Sequence, residues 1–205
     1  LADPRAVAIV TGQQAGLFGG PLYTLLKTVT AIQLARRVER EHGVPAVPVF
    51  WVDAEDHDWE EVRACSVLDG EMHHVRITLP DLPGAGALPV AGITLDASIG
   101  DVLTTLRDTL APTEFTQHLL SSLGRVYCAG RGMADAFARW LETIFEAHGL
   151  VVFDSADSAA KQLAAGVFAT ELDHPGRTSR LAHEAGERMC LLGHEPQVTP
   201  QTGSP

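Results

Sequence analysis

The sequence predicts an α/β protein in which a parallel β-sheet is flanked by helices and carries a small inserted segment. Three observations predict it. Short apolar runs at 7–10, 46–52 and 150–154 read as strands buried in such a sheet. A glycine-rich turn and a long stretch of helical period join the first two runs, so strand, turn, helix and strand form one βαβ unit. Helical patterns fill most of the chain after residue 100.

The elements follow in order. The first strand, 7–11, runs into Thr11-Gly12, and the turn continues through Gly16, Gly19 and Gly20. Pro21 suits the first position of a helix, where its missing N–H costs nothing. Leu22, Leu25, Leu26, Val29 and Ile32 recur at helical spacing, and Gly43 offers a C-cap after His42. The second strand, 46–52, ends in the acidic run Asp53-Ala54-Glu55-Asp56-His57-Asp58. Residues 75–79 alternate as a strand does, and 80–92 are rich in glycine and proline, which marks an excursion from the sheet. Helices are expected at 101–110, 114–123 and 134–147, the last closed by Gly149. The third strand, 150–154, is followed by helices at 155–173 and 177–192, and Gln197-Val198-Thr199 can open a further strand. This divides the chain into 1–59 as the first half of the core, 60–130 as an insertion, and 131–205 as the return to the core.

Composition narrows the function. The 205 residues are 45% hydrophobic and 20% charged, which describes a folded chain rather than a disordered one. The net charge of −11 argues against a nucleic-acid partner, which would require a basic face. The longest apolar run, 44–52, is far shorter than the roughly twenty residues of a membrane span. No secretory leader is visible and the three cysteines are widely spaced without a CxxC, so free buried thiols in a cytoplasmic protein are expected.

Two strand ends carry residues that can do chemistry. In an open α/β sheet, ligands bind beyond the carboxyl ends of the strands. The first such end is Thr11-Gly12-Gln13-Gln14-Ala15-Gly16-Leu17-Phe18-Gly19-Gly20. It matches neither a dinucleotide GxGxxG pattern nor a P-loop. Its glycines would still let backbone N–H groups approach a ligand at a helix N-terminus. Equally, the glycines can serve only the turn's backbone geometry. Tyr23, Lys27 and Thr30 form one row on the following helix, and Lys27 is one of two lysines in the chain. Its ammonium can face an anion or lie over the helix surface. The second end is 53–58, where His57 can act as a base oriented by a carboxylate, where the oxygens can hold Mg²⁺, or where a solvated turn opens a helix at Trp59. His73 and His74 point to opposite faces of an alternating segment, and the remaining histidines have no zinc spacing, so no metal site is assigned.

The motif from Thr11 to Lys27, TGQQAGLFGGPLYTLLK, followed by PVFWVDAEDHD at 48–58, resembles the BshC family, the cysteine-adding enzymes of bacillithiol biosynthesis. Residues 134–141 and 149–154 fit the same family. The resemblance implies a Rossmann-like core similar to class I nucleotidylyltransferases and aminoacyl-tRNA synthetases. It also implies that this chain is an N-terminal fragment, incomplete before the family's C-terminal coiled coil. The implied reaction joins L-cysteine to glucosaminyl-malate through an amide. Thr11, Gly12, Gln13, Gln14, Gly16, Gly19, Gly20 and Tyr23 then stand where such synthetases bind a nucleotide, with Gln13 and Gln14 near the place of that signature's paired histidines. The activating group is left open, with ATP the cofactor considered. Lys27, Glu55, Asp56 and His57 become the catalytic candidates, with Glu55 or Asp56 holding the amine and His57 relaying a proton. The family also implies a homodimer of the full-length protein. Against this enzyme stands a non-catalytic Rossmann-like module that binds an anion or a nucleotide.

Overall fold

The structure, a computed structural model, describes residues 3–196 and 198. The chain forms two compact units, Leu1–Ala156 and Asp157–Pro205.

The first unit is built on a parallel three-stranded sheet in the order β1-β2-β5. Strands β1 (Val7–Gln14) and β2 (Ala46–Asp53) pair from Val7↔Ala46 to Gln14↔Asp53, and β5 (Val151–Asp154) pairs with β2 from Val49↔Val151 to Val52↔Asp154. The parallel βαβ unit is therefore as the sequence predicts. Its first strand is longer, however, and includes Gly12, Gln13 and Gln14, so the turn begins only at Ala15. Gly12 sits opposite Trp51 in the ladder, and the strand pairing holds these polar residues extended.

Helix α1 (Tyr23–His42) crosses back between β1 and β2 and ends at Gly43, whose left-handed backbone (φ 62°) lets its N–H reach the Glu39 carbonyl. Pro21 lies two residues before α1 instead of opening it. Thr24, Thr28, Ala31, Ile32 and Ala35 form the buried stripe of this helix. On β2, Ala46, Pro48, Phe50 and Val52 are buried toward the same side. The Phe137 ring of α5 (Met133–Phe145) lies 5.9 Å from that of Phe50, so both helices cover one face.

The opposite face of the sheet is not buried as the apolar runs lead one to expect. Val10 is 56% exposed and Trp51 45% exposed, because no described element of this unit packs over them. Parallel sheets are normally covered on both faces. The isolated 205-residue chain is therefore expected to associate in solution through this apolar surface. Sedimentation or light scattering checks this; a monodisperse monomer with a cooperative melt contradicts it.

Residues 59–133 extend the core. Short helix α2 (Trp59–Val62) is followed by β3 (Ala64–Leu68), which pairs antiparallel with β4 (His74–Thr78). The sequence shows β4 by its alternation but not β3, whose exposed Ser66 and Leu68 break the pattern. The glycine- and proline-rich stretch is a packed one. It buries Leu79, Leu82, Val90, Ile93 and Leu95 against α3 (Ser98–Thr109), α4 (Thr116–Val126) and α5.

In the second unit, the helix expected over 155–173 is two: α6 (Ser158–Leu163) and α7 (Ala165–Asp173), with α8 (Arg177–Leu191) after them. Asp157 caps α6 by accepting from the Ala159 N–H at 2.8 Å. None of the three helices buries a residue, and Leu163 and Leu191 are 90% and 87% exposed. Cys190 is exposed on α8, unlike the buried thiol expected, whereas burial pushes the Cys65 thiol up to about 11 and keeps it protonated. Residues 197 and 199 of the expected last strand lie outside the described residues.

Candidate functional site

The carboxyl ends of β1 and β2 bring the two sequence motifs together. Successive residues of an extended strand point to opposite sides, so Gln13 and Gln14 at the end of β1 serve different neighbours. Gln14 Nε2 donates to Asp56 Oδ2 at 2.5 Å and bridges the glycine motif to the acidic loop. Gln13 Oε1 accepts from Lys27 Nζ at 3.0 Å, and the same ammonium reaches the Gly12 carbonyl at 3.3 Å. Lys27 also lies 4.7 Å over the Tyr23 ring. Two of its three N–H donors are thus used to tie α1 to the end of β1. Thr11 and Lys27 line a groove of about 370 Å³ between β1 and α1. Gln14, Trp51 and Asp53 line a hollow of about 460 Å³ at the strand ends.

The acidic loop is anchored along its backbone. The Ala54 N–H donates to the buried Ser155 Oγ at 3.0 Å, and the Ala54 and Asp56 carbonyls accept from Ala91 and Val90, each at 2.9 Å. Asp58 caps α2 by accepting from the Glu61 N–H at 3.1 Å, so this carboxylate has a structural task. Asp56 is held below the usual carboxylate value, first by the Gln14 amide and then by the Asp58 N–H at 3.1 Å; the nearby His57 imidazole adds a smaller pull. Glu55 and His57 are exposed at the rim. Among the described residues, no group of His, Cys, Asp and Glu is placed to hold a metal ion.

Because the folded pKa of Asp56 lies below its ordinary value of 3.8, its ionised form contributes stability above that pH and loses it as pH falls through the folded value. Asp56→Asn should therefore narrow the stability gap to wild type in acid and widen it toward neutrality. Thermal melts of both proteins between about pH 2 and about pH 6 check the sign.

The glycine loop is built for packing as much as for approach. A Cβ on Gly16 would come within 2.7 Å of the Gly20 Cα, and one on Gly19 within 2.9 Å of the Trp140 Nε1. Gly19 has φ 99°, and its neighbour Phe18, a residue with a side chain, is also left-handed at φ 52°. What holds this backbone is Tyr127, a fully buried residue that sequence reasoning missed. Its hydroxyl accepts from the Gly19 N–H and donates to the Gly16 carbonyl, both at 3.1 Å, while Phe18 packs edge-on against its ring at 5.1 Å. Burial drives the phenol far above its ordinary pKa, so it stays a neutral donor. The only signal in the sequence is that Tyr127 is one of two tyrosines. Tyr127→Phe removes both hydroxyl bonds, leaving the Gly19 N–H and the Gly16 carbonyl only their 3.2 Å bond to each other, and should cost about 1–3 kcal/mol, read as a lower melting temperature. An unchanged melt would show that the clasp contributes nothing.

The same geometry tests the loop as a phosphate cradle. The Gly16, Gly19 and Gly20 amides donate to the Gln14 carbonyl, the Tyr127 hydroxyl and the Leu17 carbonyl. These glycine N–H groups are already used, so the loop does not fit a triphosphate in the manner of a P-loop. Beside the loop, the Thr24 hydroxyl is buried without a hydrogen-bond partner.

The order β5-β2-β1 leaves β1 on an open edge. In a doubly wound sheet, the reversal of strand order that creates the ligand crevice falls beside the first strand, at its carboxyl end. Gly12, Gln13 and Gln14 stand there.

Comparison with known proteins gives a consistent result. Residues 1–204 match the N-terminal Rossmann-like domain of the bacillithiol biosynthesis protein BshC. The protein of Salinibacter ruber named "Putative cysteine ligase BshC" is 38% identical over 200 residues, covering 97% of this chain and 36% of its own length. Proteins of the same name from Heliobacterium modesticaldum and Bacillus licheniformis are 37% and 35% identical, each across 97% of this chain. The chain spans just over a third of the length of these curated relatives.

Proposed function

From the premise that this chain belongs to the BshC family, whose N-terminal Rossmann-like domain it matches, we propose that it forms the substrate-binding core of a cysteine ligase. In this reading the complete protein joins L-cysteine to glucosaminyl-malate, forming a carbon–nitrogen bond. The observation that carries the reading is the Gln14–Asp56 hydrogen bond, which links the two motifs at the strand ends where a ligand crevice lies.

The chemistry assigns a task to each side chain. The α-amine of cysteine, once it has lost its proton, attacks the malyl carboxyl carbon. The C–N bond forms as a carboxyl C–O bond breaks, and that oxygen leaves as water or on an activating group brought by a co-substrate. Asp56, kept ionised by Gln14 and the Asp58 N–H, holds the incoming ammonium with Glu55 beside it. His57 at the rim takes the proton. Lys27 keeps α1 against Gly12 and Gln13 and offers its third N–H to a substrate oxygen. Thr11, Gly12, Gln13, Gln14 and Tyr23 wall the crevice, and Gly16, Gly19 and Gly20 shape its loop.

The reading further takes 1–59 and 131–205 as core and 60–130 as an insertion. It takes the full-length protein to be a cytoplasmic homodimer that acts on small molecules, without nucleic-acid or membrane partners. No described helix is long and apolar enough to cross a membrane. The test is to supply the full-length protein with L-cysteine and glucosaminyl-malate, with and without ATP, and to follow the amide product by mass spectrometry. Absence of product under every condition would refute the reading.

A further inference from the structure

We propose a second small-molecule site, on the outer side of α4 and α5, that binds the carboxylate or phosphate head of a metabolite. Although the chain is strongly acidic, three arginines reach one cavity of about 500 Å³: Arg125 at the end of α4, Arg131 in the following turn, and Arg139 on α5. The volume lies within the range of about 300–1,000 Å³ usual for small-molecule pockets. None of the cavity's lining residues belongs to the glycine loop or the acidic loop.

Each guanidinium is held in place by a neighbour. Arg125 Nη2 donates to Ser122 Oγ at 2.9 Å. Arg139 Nε donates to both carboxylate oxygens of Asp135, at 2.8 and 2.9 Å, and Arg131 Nη1 reaches the same carboxylate at 3.3 Å. Tethering removes much of the side-chain entropy that ligand binding would otherwise have to overcome. These bonds leave other guanidinium donors uncommitted, in the planar fork that matches carboxylate and phosphate oxygens.

Of the two arginines on Asp135, Arg131 is the more buried, its side chain 27% exposed against 53% for Arg139. Partial burial lowers the local dielectric and strengthens the pull of its guanidinium on an oxyanion seated in the cavity. Glu142 and Glu146 share the cavity wall and set the ligand class. They disfavour polyanions and favour a singly or doubly charged head whose remainder carries hydroxyl or ammonium donors.

Calorimetric titration of the full chain with inorganic phosphate and with succinate, at low ionic strength, tests this. Saturable binding of either probe is expected, weakened about tenfold or more in R131Q and in R139Q. Binding of phosphate alone assigns a phosphate head, binding of succinate alone a carboxylate head, and binding of both the shared oxyanion chemistry. Arg139 is an exposed residue, so R139Q keeps the test valid if R131Q does not fold. Absence of saturable binding by wild type, or wild-type affinity in the folded variants, overturns the proposal.

Discussion

Gly19→Val should unfold the glycine loop and abolish the proposed ligase turnover of the full-length protein. Two costs add at this position. A β-branched residue at φ 99° sits in a region that side chains avoid, at about 1–3 kcal/mol. Its Cβ would also stand 2.9 Å from the Trp140 indole nitrogen, and overpacking of that kind costs about 1–3 kcal/mol. The expected result is a melting temperature lower by many degrees together with loss of product. Gly19→Ala, smaller but equally disfavoured at this φ, should fall between the two. Full turnover in a folded Gly19→Val protein would remove the loop from the site. This substitution reports on the loop's architecture, whereas the next one reports on chemistry.

His57→Ala should lower turnover of the full-length protein by roughly a hundredfold or more, with the fold intact. His57 is exposed at the rim and caps no helix, so its removal has little to disturb in the packing. The loop beneath it stays fixed by Ser155, Val90 and Ala91. Asp56→Asn, in contrast, removes the charge offered to the ammonium and should chiefly raise the KM for cysteine. That substitution also alters the Gln14 contact, so circular dichroism of both variants must accompany the kinetics. Near-normal rates in both would leave residues 53–58 as a solvated turn that opens α2.

The sequence and structure agree where short-range periodicity decides the outcome. The apolar runs of β1, β2 and β5 and the 3.6-residue recurrence of α1 are local patterns, and the parallel βαβ unit follows from them. The extent of β1 was hidden because Gly12 has low strand propensity and the polar Gln13 and Gln14 end the apolar run, and pairing with β2 holds them extended. The candidate site divides in the same way. The strand ends that carry Lys27, Gln14 and Asp56 are visible as motifs. The pairs Gln14–Asp56 and Tyr127–Gly19 are separated by 42 and 108 residues, and no local pattern reports such contacts. Tyr127 is also masked by its place at the end of an amphipathic helix, where an aromatic residue reads as ordinary core.

The bare face and open edge of the sheet have a consequence for how the longer relatives are made. Their N-terminal third leaves the ribosome first, and at roughly 5–20 residues per second the remainder takes on the order of tens of seconds to follow. Throughout that interval the β1 edge offers unpaired backbone groups and the Val10–Trp51 surface offers apolar area. Neighbouring nascent chains on the same message present the same edge and can pair with it. A chaperone at this surface, or a pace of synthesis that outruns strand exchange, would keep such nascent chains apart.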